Sequence, residues 1–262
     1  MWRSRKVLEA GAFMVPLVIV AALLQIAVGI GVVDSALVPS PWSIGQAIVR
    51  LSAPQPLLLS YLLTSLYRLL TGFIFGGFVG VALGVLLGSS TALRNALKPV
   101  LDFLISVPTI CWVPLLLISV GVGDATVIIA VFLGCVFPVT YSAMNGVRSA
   151  REELVWGARS MGASSARVLR SVLLPAALPT VITGLRLAVG YSWRALIGAE
   201  MLAAAGSGIG YMIYAARAFY DVDVMFAGLV VIALAGLAMD YLVMGSVERR
   251  TVQRWGMVTK TW

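Results

Sequence analysis

The stretch SLYRLLTGFIFGGFVGVALGVLLGSS, residues 65–90, holds one charged side chain, Arg68. Glycine recurs in it at 72, 76, 80, 84 and 88, with Gly77 beside them. A run of this length matches the roughly 20 apolar residues that carry a helix across a bilayer. Four residues advance a helix by about 400°, so the glycines stay near one face and wind slowly around it. Lipid gives helices no hydrophobic reason to associate, and close backbone approach over small residues supplies the packing instead. The stretch therefore predicts a membrane helix whose smooth face meets a bundle or a subunit interface.

The rest of the chain has the same character. Of its 262 residues 60% are hydrophobic and 11% charged, where a soluble domain carries about 25% charged residues. Mean hydropathy is +0.99. Apolar runs predict about six transmembrane helices, at 11–33, 58–88, 98–119, 124–146, 178–204 and 223–247. The fold class is all-α, a polytopic helical bundle, because the runs are too continuous for the alternation of a membrane β-barrel. The first run follows a basic lead and is longer than the core of a cleaved signal peptide, so it reads as a retained span.

The net charge is +8, and its placement matters more than its sum. Lys and Arg gather in the N-terminal tail (Arg3, Arg5, Lys6), the second connection (Arg94, Lys98), the fourth (Arg148, Arg151, Arg159, Arg167, Arg170) and the C-terminal tail (Arg249, Arg250, Arg254, Lys260). The first, third and fifth connections hold only Arg50 and Arg217. The positive-inside rule then predicts both termini in the cytoplasm, which an even number of spans satisfies. Such a distribution points to membrane lipid and not to nucleic acid.

The chain has no histidine, which removes His-ligated metals, haem and Ser-His-Asp chemistry. No metal site and no catalytic residue is predicted. Cys111 and Cys135 lie in apolar runs and read as small packing residues. Pro108 and Pro114 interrupt the third run and Pro138 the fourth. Such breaks survive in a membrane where protein or a water-filled cavity satisfies the freed carbonyls, which predicts a cavity beside these two spans.

The connection at 147–175 is basic and polar. Leu154, Ala158 and Met161 make one apolar stripe on a first short helix. Gly162 suits a left-handed C-terminal cap, and Ser164 or Ser165 suits the N-cap of a second short helix. Pro175 and Pro179 mark re-entry into the membrane. The residues alone allow two readings, an interfacial helix with arginines at anionic headgroups or a docking element for a cytosolic partner.

Ionisable, hydroxyl-bearing and aromatic residues within spans are candidates for a translocation path: Arg68, Thr109, Trp112, Arg186, Trp193, Arg194 and Glu200. Arg186, Trp193 and Glu200 are seven apart and share one helical face, and a basic residue there helps an anion pass. The structural alternative pairs Glu200 with Arg68 or Arg194 and lets Arg186 snorkel to the membrane surface.

The 147–175 connection resembles the EAA loop of permease subunits of ABC importers, the binding-protein-dependent type I family. Gly157 and Ala158 fall on the two alanines, Gly162 on the family glycine, and Leu174 and Pro175 on its closing Leu-Pro, while the acidic position falls on Trp156. LVPSPWSIGQAI (37–48), the glycine-rich stretch above, FPVTYSAMNGVRS (137–149) and LPTVITGLRLAVGYSWRALIGAEML (178–202) resemble the nitrate/sulfonate/taurine-type branch in order and spacing. The resemblance covers roughly 35–245. It implies one transmembrane permease domain over 1–262, with an N-terminal span at 11–33, a core at 58–247 and a cytoplasmic coupling loop at 147–175. It implies an ATPase-coupling set of Gly157, Ala158, Arg159, Met161, Gly162, Ala163, Ser164, Arg167, Leu174 and Pro175.

The implied assembly pairs two permease copies, expected to be identical, with two cytosolic ABC ATPase subunits and a periplasmic or lipid-anchored substrate-binding protein in a bacterial inner membrane. ATP and Mg belong to the ATPase, and this chain needs no cofactor. No G-x-x-x-x-G-K-[ST] pattern occurs in it, so it lacks that ATP-binding machinery. The implied cargo is a small solute, foremost an anion such as taurine, an alkanesulfonate or nitrate, with bicarbonate, a thiamine precursor or riboflavin as alternatives. An ATP-independent secondary transporter or channel is the competing class.

Overall fold

The computed structural model describes residues 2–245, with the side chains of 2–14, 17 and 242–244 outside the description. The end of the sixth expected span and the basic C-terminal tail lie outside the described residues. The described chain is helical from end to end: α1 Trp2–Gly29, α2 Pro41–Ser52, α3 Leu57–Ser89, α4 Thr91–Ser106, α5 Val113–Ser119, α6 Asp124–Arg148, α7 Glu152–Ser160, α8 Ser165–Val168, α9 Leu174–Ala203, α10 Ile209–Ala218 and α11 Val222–Ala238. Four stretches are long and apolar enough to cross a membrane, α3, α6, Ser165–Ala203 and Val222–Tyr241, and a bent pair makes a fifth. The first expected span lies on α1, whose Val18–Gly29 portion is apolar. That helix stops before residue 33, and Gly31 turns the chain with φ +76°.

The glycine ladder packs against α6. A β-carbon built on Gly72 would lie 2.7 Å from Val131 Cβ; on Gly76, 2.8 Å from Cys135 Cβ; on Gly80, 2.9 Å from Val139 Cβ; on Gly84, 2.5 Å from Ala143 Cβ; on Gly88, 2.6 Å from Val147 Cβ. The partner number rises with the glycine number at one constant offset, so α3 and α6 run parallel. Parallel neighbours need a return crossing between them, and only α4 and α5 can provide it. The bent pair is therefore a broken span.

The expected interruption of the third span at Pro108 is present, and the expected bounds, 98–119, are corrected. The chain starts inward already at Thr91, and the segments Thr91–Ser106 and Thr109–Ser119 meet at 92°. Pro108 lacks an N–H and disfavours helix in the residue before it, and Val107 is accordingly extended at ψ 118°. A short 3₁₀ turn, Thr109–Trp112, restarts the helix. Cys135 is buried, as a packing residue should be, but Cys111 on this turn is exposed.

α9 returns antiparallel to α6. A β-carbon on Gly134 would lie 3.2 Å from Ala195 Cβ, and one on Gly146 would lie 2.9 Å from the Ala177 carbonyl. The core of the bundle is Leu69, Val113, Val127, Val131, Trp193 and Leu196 with their neighbours. A second cluster at the far end joins α2, the start of α3, α10 and α11. The near end carries α7 and α8. The expected first short helix, break and second helix are present, but the second is not short: α8 continues through a π-helical stretch, Leu169–Leu173, straight into α9. Pro175 has no N–H for the Ser171 carbonyl and its ring crowds that oxygen, and a widened turn accommodates both.

Candidate functional site

The near-end loop is built by two caps. Gly162 sits at φ +79°, its N–H donates to the Arg159 carbonyl at 2.9 Å, and the Ala163 N–H donates to the Ala158 carbonyl at 3.0 Å. These are the two bonds of a Schellman motif, and they stop α7. Ser164 caps α8 by accepting from the Arg167 N–H at 3.4 Å. The loop leaves apolar surface bare: Met161 is 83% exposed, Trp156 65% and Leu154 54%. Gly157, Arg159, Gly162, Ser164 and Arg167 are exposed around them, and Ala158 and Ala163 are half-buried. Leu174 and Pro175 are not on this surface; they form the first turn of α9.

The far end is held by Arg68. Its guanidinium is buried, and all five of its N–H groups are matched. Nε and Nη2 donate to Asp124 Oδ1 at 3.0 and 2.6 Å. Nη1 donates to Glu200 Oε1 and to the Ser207 carbonyl, each at 2.8 Å, and Nη2 also donates to Ser207 Oγ at 3.1 Å. Glu200, likewise buried, accepts from Ser65 Oγ at 2.9 Å and from the Gly210 N–H at 2.9 Å. Ser65 Oγ in turn accepts from the Ile209 N–H at 2.9 Å. The cluster ties α3, α6, α9 and the start of α10 into one unit.

Gly208 lets the loop close over this pair. It sits at φ +111°, and a β-carbon there would overlap the Glu200 carboxylate and lie 2.7 Å from Arg68 Nη1. Gly208→Ala is expected to lower stability by more than about 1 kcal/mol, read as a lower melting temperature of the purified chain in detergent.

The remaining candidates separate. Arg186 pairs with Asp240, Nε to Oδ1 at 2.9 Å and Nη2 to Oδ2 at 3.0 Å. Arg186 and Trp193 border one small cleft of about 230 Å³ with Arg194, but Glu200 turns away from them into the far-end cluster. The indole of Trp193 packs on Gly236, whose β-carbon would lie 3.1 Å from Nε1. Trp112 keeps a buried Nε1 without a hydrogen-bond partner among the described residues and borders neither cleft.

Thr109 and Arg194 share a cleft of about 630 Å³ between the Pro108 bend, α6 around Pro138 and α9, together with Tyr141 and Tyr191. This is the cavity that the two prolines predict. Sequence reasoning missed Asp124, Ser65, Ser207 and Tyr141. Ser65 carried a signal, since it stands three residues before Arg68 on the same face. Tyr141 carried a weaker one, a hydroxyl inside a span three residues after a proline.

A bundle of parallel and antiparallel spans, tied at one end by a buried ion cluster and bearing at the other an exposed helical loop, defines a multi-span helical membrane protein. The chain belongs to the family of binding-protein-dependent transport system inner membrane components, whose model matches residues 72–252. It is 33% identical over 224 residues to the taurine transport system permease protein TauC of Escherichia coli, covering 84% of this chain and 81% of that one. It is 34% identical over 225 residues to the putative aliphatic sulfonates transport permease protein SsuC of Bacillus subtilis, covering 86% and 81%. It is 32% identical over 193 residues to the bicarbonate transport system permease protein CmpB of Synechococcus elongatus, covering 74% and 67%. Among solved structures, a chain of the MetNI methionine ABC transporter in inward-facing conformations shares the fold, with a TM-score of 0.62 and 23% identity over 74% of this chain and 95% of that one.

Proposed function

We propose that this chain is the permease subunit of an ATP-driven importer of a small anion of the taurine, alkanesulfonate, nitrate or bicarbonate kind. Residues 1–262 make one permease unit that pairs with a second copy. Two cytosolic ATPase subunits grip the 147–175 loops, and a binding protein delivers the solute at the opposite face. Both termini and the loop face the cytoplasm, in line with the distribution of arginine and lysine.

The observation that carries this reading is mechanical. The capped loop offers bare Met161, Trp156 and Leu154 beside Arg159 and Arg167, and it continues through unbroken helix, Ser165–Ala203, to Glu200 in the far-end cluster. A partner that moves the loop moves α9. Coupling requires contacts that differ between the partner's states, and a small exposed apolar knob ringed by arginines supplies them.

Arg159→Glu and Met161→Asp change exposed side chains and leave the core intact. Each is expected to lower ATP-dependent uptake of taurine or ethanesulfonate by the reconstituted assembly by about tenfold or more, the loss of one well-placed charge-assisted or apolar contact at an interface. Membrane insertion stays as in the parent. Unchanged uptake and unchanged co-purification of the ATPase in both variants rejects the loop as the coupling element. Uptake that proceeds in ATP-free vesicles favours the secondary-transporter class instead.

A further inference from the structure

We infer that the cleft at the Pro108 bend is an anion site, with Arg194 as its cation and the Tyr141 hydroxyl as a second donor, suited to a sulfonate- or carboxylate-sized group on a small organic body. The inference deepens the importer reading by naming the class of solute the bundle itself favours.

Arg194 stands about 13 Å, nine residues of helix, inside the far end of α9. It is exposed and, among the described residues, no acid pairs with it. An unpaired charge at that depth is costly unless it lines a wet path or meets a counter-ion. Two other arginines within the bundle do have acids: the buried Arg68 has Asp124 and Glu200, and Arg186 has Asp240. Arg194 instead has the ring of Tyr191, 5.7 Å from its guanidinium carbon, which holds the group without neutralising it.

The cleft fits a ligand in other respects. Its volume of about 630 Å³ lies in the range of small-molecule sites, and its wall is mainly apolar with few polar groups. Among the described residues no acidic side chain borders it; Asp240 borders the smaller neighbouring cleft and is engaged by Arg186. The Tyr141 hydroxyl is buried and has no hydrogen-bond partner among the described residues. A buried donor left unmade costs free energy, and an anion oxygen in the cleft would satisfy it. Thr109, on the turn after Pro108, is a further hydroxyl-bearing residue of the lining.

A negatively charged oxygen group has two sources here, a solute or a lipid phosphate, and the experiment separates them. Full-length chain carrying Thr109→Cys in a Cys111→Ser background is placed in nanodiscs of phosphatidylcholine or of phosphatidylglycerol. The cysteine is labelled with anionic 2-sulfonatoethyl methanethiosulfonate and with its cationic trimethylammonium counterpart, each rate normalised to that of a small free thiol. The expected preference for the anionic reagent is about tenfold, the order that one unscreened charge in a cleft produces. Arg194→Lys retains it and Arg194→Gln abolishes it, while Tyr141→Phe lowers it several-fold.

Equal normalised rates in the parent, or a preference that survives Arg194→Gln, overturns the inference. So does a preference present in phosphatidylcholine and lost in phosphatidylglycerol, which assigns the arginine to a lipid phosphate. The labelling needs no ATPase, so failure of the importer reading, seen as absent ATP-dependent uptake by the parent, stays distinct from failure of the site.

Discussion

Arg68→Ala lowers the stability of the folded chain by about 3–5 kcal/mol, the usual cost of removing one partner of a buried pair. The magnitude follows from what is left behind. Glu200 is 0% exposed, and its carboxylate keeps only Ser65 and the Gly210 N–H once the guanidinium is gone. Asp124 and the Ser207 carbonyl lose their donors in the same step. Desolvated charge without its counter-charge is the expensive state, not the absence of the pair as such. Glu200→Gln is therefore milder, because Arg68 retains Asp124 and the amide still accepts a hydrogen bond. Replacing both, as in Arg68→Met with Glu200→Met, recovers part of the loss.

Reversing the two charges does not rescue, since a glutamate at 68 would face Asp124. Lysine at 68 restores charge but has three donors where five are used, so it falls between wild type and alanine. Thermal unfolding of the purified chain in detergent reads the series. A melting temperature unchanged in Arg68→Ala would remove the cluster from the account of the fold.

How much of this was legible in the sequence depends on whether the cause is local. The glycine ladder was readable because its period is a property of one helix, and so was the cap at Gly162, whose bonds span five residues. The four long spans follow from length and hydropathy alone. The bend at Pro108 was legible as a break but not as a 92° turn, because its angle is set by what α5 packs against. The π-helical stretch that carries α8 into α9 replaced an expected stop, since a proline near a helix start can be absorbed as well as obeyed.

The partner of Glu200 stayed open between Arg68 and Arg194 for a related reason. Helical phase says which face a residue occupies, but not which neighbouring helix faces it, and that depends on bundle order. The same ignorance hid Asp124, far from Arg68 in sequence and adjacent in space. The partner of Arg186 was hidden in the same way, because sequence does not place Asp240 beside it.

The second large effect tests the seam that puts Arg68 and Asp124 within reach of each other. Gly84→Ala is expected to destabilise by about 1–3 kcal/mol, and Gly84→Val by more, through overpacking of a close-packed contact. An added β-carbon at 84 would stand 2.5 Å from Ala143 Cβ, 2.5 Å from the Thr140 carbonyl oxygen and 2.9 Å from the Met144 nitrogen. Two of those atoms are backbone of α6 and have no rotamer to change, so the helices must part. Gly77 is the control on the same helix. Its β-carbon would meet only Leu185 Cδ2, at 3.4 Å, an ordinary contact with a flexible tip. Gly77→Ala is thus expected to be neutral or to stabilise by up to about 1 kcal/mol, the gain in helix propensity. Opposite signs for one added methyl on one helix, measured as melting temperatures, separate packing across the seam from propensity along it. Equal effects at 84 and 77 would mean that α3 does not lie against α6 in this register. The far-end cluster, which needs both helices at that spacing, would then lose its scaffold.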